Sequence, residues 1–307
     1  MNLPEEYQEK ILSLYAGFDK QKLIETRSVL TEKYKNQTGN SINKISTKED
    51  GIIYAISRMP ATYAVTQTLL ETLIQENKIE NVHSIFDFGS GTGAGYLALL
   101  NLFDENQIEL FEREDNMISC FNQIFEKQVH KFDLTKDKTE SKADLVLCSY
   151  VLSEMNDSDR KLALDNLMNS TNNYLLLIDT GTPDVYHKYM QIKDYAKKCG
   201  YCVIAPCSGE CDLQNDYCQF YARVERNSLM KMAKQGSLSY EDEKYFYLLI
   251  SKHQIGGSKR RVIRRPIYEA NRVKLVVCDR GKKDIVVTKK DKELYKKARK
   301  IKINEEI

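Results

Sequence analysis

The stretch Asp87-Phe88-Gly89-Ser90-Gly91-Thr92-Gly93-Ala94-Gly95 follows a short apolar run, Ser84 to Phe88, and precedes a helical segment from Tyr96 to Leu102. A glycine-rich turn between a strand and a helix lets the backbone bend sharply and approach a ligand closely. The free N–H groups at the start of the helix attract polar or anionic groups. The spacing Gly-x-Gly-x-Gly departs from the Gly-x-Gly-x-x-Gly dinucleotide fingerprint, and no Gly-Lys-Ser/Thr closes the loop. An NAD site and an ATP phosphate loop are therefore both disfavoured, while a nucleotide-type ligand is retained.

Outward from this loop, apolar runs alternate with amphipathic stretches. Ser84 to Phe88, Gln107 to Phe111, Asp144 to Ser149 and Tyr174 to Asp179 read as strands, and residues 94–103, 115–127, 157–169 and 184–199 as helices. Such alternation predicts an α/β unit with a mainly parallel sheet. Ahead of it, residues 5–37 carry two amphipathic helices, and Pro60 opens another that runs from Ala61 to Ile74. Beyond Gly200, the runs Tyr201 to Ala205, Tyr217 to Val224, Tyr245 to Ile250, Val273 to Val277 and Ile285 to Thr288 predict antiparallel β-structure, with a basic helix from Lys292. The expected division is 1–80 for a helical cap, 81–205 for the ligand-binding α/β domain and 206–307 for a cysteine-bearing, basic, β-rich extension.

Composition narrows the class. At 307 residues, 42% hydrophobic and 29% charged, with 5 Pro and 14 Gly, the chain is neither fibrous nor low-complexity nor disordered. No apolar run approaches the roughly 18–20 residues of a membrane helix, so no membrane association is expected. Met1-Asn-Leu-Pro-Glu-Glu does not read as a secretory or organellar leader. Eight Cys without such a leader point to a reducing compartment, and a monomer in the bacterial cytoplasm, or in the mitochondrion of a eukaryotic host, is the expectation. The four His are scattered, and no Ser/His/Asp arrangement supports nucleophilic hydrolysis.

Asp87 at the strand end, the glycines, and Glu112 closing the next strand 19 residues after Gly93 together resemble the S-adenosylmethionine site of class I methyltransferases. That resemblance assigns Asp87, Gly89, Ser90, Gly91 and Gly93 to the cofactor loop and Glu112 to the two ribose hydroxyls, which a carboxylate can accept in bidentate fashion. Asp133, in Phe132-Asp133-Leu134, is placed near the adenine, with a solvated loop acid as the alternative. The segment Cys148 to Glu154 lies where such enzymes face their substrate. It carries no Asn/Asp-Pro-Pro-Tyr motif, and Cys148 reads as a small buried strand residue, so no catalytic residue is assigned.

Five of the eight cysteines fall between residues 199 and 218. Cys207-x3-Cys211-x6-Cys218 with Cys278 can supply four thiolates, which suit either tetrahedral zinc or an iron–sulfur cluster. Cys199, Cys202, Cys207 and Cys211 form a rival set, and unrelated reduced thiols are the plain alternative. The net charge of +2 hides a segregation: residues 251–307 hold 19 Lys and Arg against 7 Asp and Glu, a balance of +12, which leaves −10 for residues 1–250. Lys259-Arg260-Arg261-Val262-Ile263-Arg264-Arg265 and the Lys289 to Lys302 stretch suit phosphate contacts.

The ordered set of segments resembles the Rsm22 family of small-ribosomal-subunit, methyltransferase-like proteins. It comprises Arg58 to Ala64, Asp87 to Gly95, Ser149 to Glu154, Gly181-Thr182-Pro183, Ala205-Pro206-Cys207, Asp216 to Phe220, Glu241 to Tyr245, Cys278, and Tyr295 to Lys300. This resemblance implies a Rossmann-like class I methyltransferase fold with bound S-adenosylmethionine. It also implies a [4Fe–4S] cluster, in preference to zinc, on Cys207, Cys211, Cys218 and Cys278. The partner it implies is small-subunit rRNA in precursor particles. The role is that of a ribosome assembly factor, or alternatively of an active rRNA methyltransferase. Two positions depart from the family pattern. Cys207-Ser-Gly-Glu-Cys211 is two residues shorter than Cys-Pro-His-x-x-x-Cys, and Asp216-Tyr-Cys-Gln-Phe220 replaces Asp-Trp-Cys-His-Phe.

Overall fold

The computed structural model describes residues 1–16, 19–36, 44–207, 216–253 and 260–307. Among the described residues, four helices precede the first strand: α1 (Glu5–Tyr15), α2 (Lys20–Asn36), α3 (Lys48–Ser57) and α4 (Met59–Gln75). Helix α3 is absent from the sequence reading, because Ile52, Ile53, Ala55 and Ile56 are all buried and leave no amphipathic period to see. Its start is set instead by a capping box: Asp50 N donates to Thr47 Oγ1 at 3.1 Å, and Thr47 N donates to Asp50 Oδ2 at 3.1 Å. Gly51 brings it close to its neighbour, since a Cβ there would stand 2.9 Å from the Asn116 carbonyl oxygen.

The α/β alternation folds as expected. Strands β1 (Ile85–Phe88), β2 (Ile108–Glu112), β3 (Val129–Lys131), β4 (Ala143–Ser149) and β5 (Thr171–Thr180) run parallel in the order β3-β2-β1-β4-β5. Helices α5 (Ala94–Leu100), α6 (Asp115–Ile124), α7 (Asp157–Asn169) and α8 (Pro183–Lys198) accompany them. β1 and most of β4 and β5 are buried, which is why they read as continuous apolar runs. The order reverses between β1 and β4, so the loops after these strands diverge and open a crevice at their carboxyl ends.

Three further strands complete this sheet: β6 (Cys202–Ala205), β7 (Phe220–Glu225) and β8 (Tyr240–Ser251), with α9 (Ser228–Lys234) between the last two. β8 inserts antiparallel beside β5, pairing Tyr174 with Ser251 and Thr180 with Tyr245, and carries both β6 and β7 along its other edge. The expected strands after Gly200 thus divide between two sheets, and Tyr217 to Val224 and Tyr245 to Ile250 contribute to the α/β body. Apolar pattern identifies a strand but not its partner, so this membership is invisible in the sequence.

The remaining strands, β9 (Arg261–Val262), β10 (Ile267–Tyr268), β11 (Arg272–Cys278) and β12 (Lys282–Thr288), form a second sheet with α10 (Lys292–Ala298). A small core of Val262, Val273, Leu275, Val277, Val287, Ala298 and Ile301 holds it together. Arg261, 1% exposed, fastens it to the body. Its Nε donates to the Pro206 carbonyl at 2.6 Å, and its Nη2 donates to Glu76 Oε2 at 2.8 Å and Glu306 Oε1 at 3.0 Å. Nη1 reaches Glu76 Oε1 at 3.2 Å and the Asn304 carbonyl. The basic run is therefore only partly a surface. Arg264 pairs with Asp216 at 2.6 Å and Arg265 with Asp242 at 2.7 Å, and Lys259 lies outside the described residues.

Arg261→Met is expected to destabilise the chain by about 3–5 kcal/mol, because it leaves the half-buried Glu76 carboxylate and the Pro206 and Asn304 carbonyls without their guanidinium donor, while Glu306 keeps Lys78. Arg265→Ala, whose side chain is 60% exposed, should cost less than about 1 kcal/mol. Equilibrium urea unfolding of the two variants checks this, and equal losses would contradict the anchoring role.

Candidate active site

The glycine loop turns out of β1 with Gly89, Gly91 and Gly93 at φ of 76°, 55° and 94°. It lies back against the end of β2, where Gly89 N and Ser90 N donate to the Phe111 carbonyl at 2.8 and 3.1 Å. Gly91 N donates to Glu112 Oε2 at 2.8 Å, and the Arg113 and Glu114 amides donate to Oε1, each at 2.8 Å. Burial raises the Glu112 carboxyl above its ordinary value, and these three amides oppose the shift. Oε1 thus accepts two of the amides, and Oε2, with one, keeps an acceptor site open.

Asp87 is 1% exposed, and its Oδ2 has no hydrogen-bond partner. Burial first, and the Glu112 charge second, push its carboxyl from 3.8 up to about 7. Gly95 makes room for it, as a Cβ there would lie 2.7 Å from Asp87 Oδ2. Three more buried polar atoms without partners gather around the loop: Thr92 Oγ1, Ser149 Oγ and the Tyr150 hydroxyl. Native interiors seldom leave such groups unsatisfied, so a cluster of four marks a place where a polar ligand belongs. Tyr150 follows β4 with a left-handed backbone, φ 59°, a conformation that non-glycine residues adopt mainly under local constraint. Burial drives its phenol well above the ordinary value, which keeps the hydroxyl protonated as a donor.

Two openings flank the loop. The larger, about 810 Å³ and open to solvent, is lined by Gly89, Gly91, Glu112, Met117, Phe132, Leu134, Tyr150 and Glu154. The smaller, about 360 Å³, lies beside Asp87, Ser90, Thr92, Gly95 and Tyr150. The glycine loop and Glu112 are thus brought together as expected. Asp133 is not among the lining residues: its Oδ1 accepts from Thr135 N at 2.9 Å, its Oδ2 pairs with Lys136 at 3.1 Å, and its neighbours Phe132 and Leu134 face the cleft instead.

The sequence reading missed the wall supplied by the cap. Tyr34, Lys44 and Tyr54 close the larger cleft, with Lys44 Nζ 2.7 Å from Glu154 Oε2 and 4.8 Å from the Tyr34 ring centroid. Burial pushes Glu154 up to about 7, against the pull of Lys44. Below it, Asp179 accepts from Ser153 N at 3.0 Å and Ser153 Oγ at 2.7 Å, fixing the turn after β4. No local motif announces Tyr34, Lys44 or Tyr54, because they stand more than thirty residues ahead of the loop that they cover.

The cysteines are only partly within the described residues. Cys218 and Cys278 are buried and Cys207 is half-buried, while Cys211 lies outside. Two arginines draw the three neighbourhoods together: Arg261 bonds the carbonyl of Pro206 and sits opposite Cys278 in the β9–β11 register, and Arg264 donates to the Tyr217 carbonyl at 3.2 Å. Among the described residues, no group of three or more His, Cys, Asp or Glu is arranged to hold a metal ion. Cys199 is exposed at the end of α8, Cys202 begins β6, and Cys148 is buried in β4.

A parallel β3-β2-β1-β4-β5 sheet extended by an antiparallel strand, with a glycine loop after β1 and an acid ending β2, defines a class I methyltransferase fold. Residues 48–305 match the model of the family described as mitochondrial small ribosomal subunit Rsm22, and the chain belongs to that family. No curated protein matches the sequence. Among solved structures it is similar to magnesium protoporphyrin IX methyltransferase from Synechocystis PCC 6803, solved with bound SAM, at 12% identity over 78% of this chain and 99% of that one, TM-score 0.44. It is also similar to the plantazolicin methyltransferase BpumL, at 12% identity over 76% and 98%, TM-score 0.44. TehB from Haemophilus influenzae aligns at 15% identity over 60% and 62%, TM-score 0.39.

The raised Asp87 carboxyl makes a signed prediction. Its folded value of about 7 exceeds the ordinary 3.8, so its contribution to stability is full below pH 4 and is lost as pH rises through 7. Asp87→Asn should gain on the wild type across that window, by at most about 1.4 kcal/mol per pH unit, the slope of one proton. Urea unfolding of the ligand-free proteins from pH 5 to pH 8 measures it, and parallel curves would refute the assignment.

Proposed function

We propose that this protein is a methyltransferase-like assembly factor of the small ribosomal subunit, binding S-adenosylmethionine in the cleft around the glycine loop. The observation that carries the reading is the set of buried, unpartnered atoms of Asp87, Thr92, Ser149 and Tyr150 beside that loop. Asp87, Gly89, Ser90, Gly91 and Gly93 would hold the cofactor, with Glu112 accepting from its ribose hydroxyls. Phe132 and Leu134 would flank the adenine, and Asp133 would act on it only through the turn that its bonds to Thr135 and Lys136 hold. When bound, the cofactor supplies an electrophilic methyl group on a sulfonium. The cap residues Tyr34, Lys44 and Tyr54 would restrict water at the cleft, and Asp179 would keep the turn after β4 in place.

In the same proposal Cys207, Cys211, Cys218 and Cys278 carry a [4Fe–4S] cluster, with zinc as the alternative occupant. Three of the four thiols sit on segments tied to one another through Arg261 and Arg264, which supports a shared centre. Small-subunit rRNA in precursor particles is the proposed partner of the monomeric chain. Lys289, Lys290, Lys292, Lys296, Lys297, Lys300 and Lys302 are exposed in the turn after β12, along α10 and beyond it, and suit phosphate contacts better than the internally paired arginines do. The second reading, an active rRNA methyltransferase, is favoured by the free donor hydroxyl of Tyr150 in the segment after β4.

Isothermal titration with S-adenosylmethionine should show one site, weakened about ten-fold or more in Gly95→Ala, which crowds the Asp87 carboxylate. No binding by the folded wild type overturns the cofactor reading. Protein purified without oxygen should be brown, and colourless in Cys218→Ser. A colourless wild type with one tightly held zinc moves the centre to zinc. Binding to small-subunit rRNA should fall steeply with salt, and its absence at moderate salt overturns the assembly role. Methyl incorporation into immature subunits that is lost in Glu112→Ala selects the enzyme over the scaffold.

A further inference from the structure

A second cleft, distinct from the one around the glycine loop, lies between the outer end of the β7–β8 pair and the segment following β9, and encloses about 560 Å³ open to solvent. Ile263 and Ile303 give it apolar surface, and Phe220 is buried beneath. One wall is a cation–π pair: the Arg265 guanidinium carbon lies 5.0 Å from the Tyr221 ring centroid, and Arg265 Nε donates to the Tyr221 hydroxyl at 3.2 Å. Gln219 also lines the cleft, and its Oε1 is buried with no hydrogen-bond partner. That is an acceptor in search of a donor.

The rim is cationic. Of the charged residues that line it, Arg264, Arg265 and the exposed Lys244 stand against one carboxylate, Asp242, which also pairs with Arg223 outside the cleft, while Asp216 outside it pairs with Arg264 and Lys282. An aromatic and guanidinium wall, an unmet amide acceptor and a positive rim fit one kind of ligand: a flat heterocycle that bears an N–H donor and carries a phosphate. Nucleobases stack on tyrosine rings and guanidinium planes and offer amino or ring N–H donors on their edges.

We propose that this cleft binds a single nucleotide, its base against the Arg265–Tyr221 wall and donating to Gln219, its phosphate at Lys244. The nucleotide is either a free nucleoside monophosphate or an unpaired nucleotide within RNA. The RNA source rests on the rRNA reading above, and the free source does not.

The test uses the full chain purified without oxygen and titrated with AMP, GMP, CMP and UMP, with an unpaired RNA pentamer, and with a duplex of the same composition. Gln219→Leu is expected to weaken binding about ten-fold by removing the acceptor. The exposed double variant Lys244→Ala/Arg265→Ala provides a second readout away from Cys218, with unchanged thermal unfolding as the fold control. Mononucleotide binding that both variants weaken supports a free-nucleotide site. Preference for the unpaired pentamer over mononucleotide and duplex, weakened likewise, supports capture of an RNA nucleotide. No binding of either probe by the wild type, or binding that neither variant alters, overturns the proposal. Failure of the wild type to retain small-subunit rRNA while mononucleotides still bind counts against the assembly role and leaves this site standing.

Discussion

The guanidinium of Arg261 is the point on which the two sheets depend. A planar group with five donors, withdrawn from water, is tolerable only when those donors are met. Here they reach the end of α4 through Glu76, the residue after β6 through Pro206, and the C-terminal segment through Asn304 and Glu306. Lys78 joins the same carboxylate, 3.4 Å from Glu306, and Asn304 in turn accepts from the Tyr247 hydroxyl at 2.9 Å on β8. Cap, central sheet and second sheet are thereby referred to one buried charge. The second sheet has too small a core of its own to fix its orientation, so the ion pairs supply direction where burial supplies little.

The glycine loop shows the opposite arrangement. Around Arg261 polar groups are saturated; around Asp87 they are left open. Satisfied networks make a structure rigid and specific, while unsatisfied buried atoms create demand for a ligand. The open atoms stand at the ends of β1 and β4, whose backbones are fixed by the sheet, and in the glycine loop held against β2. The demand is therefore presented on a rigid frame, with only the cap wall coming from a separate layer.

How far the sequence discloses this differs from element to element. β1, β4 and β5 are legible because burial on both faces leaves largely apolar runs, β2 because only Glu109 interrupts its apolar residues, and the loop is legible because left-handed turns select glycine. Glu112 is legible because its spacing follows from one strand–helix–strand unit. Helix α3 is not, since uniform burial erases its period. The place of β8 is not, since pairing is a long-range property. Arg261 reads as one more member of a basic run, and only its environment, 1% exposed and between two carboxylates, separates it from Arg260, which is exposed. Tyr34, Lys44 and Tyr54 meet the cleft through tertiary packing alone.

β8 also has a temporal meaning. It is synthesised after β6 and β7 yet lies between β5 and β6, so β6 can reach the main sheet only through a strand made some forty residues later. Contacts of such long range are slow to form and leave edges exposed meanwhile. The five parallel strands can assemble as the chain emerges, but their open side at β5 stays available until Tyr240–Ser251 arrives. The cleft at the carboxyl ends of β1 and β4 is thus outlined early in synthesis, and the body that supports it is sealed late.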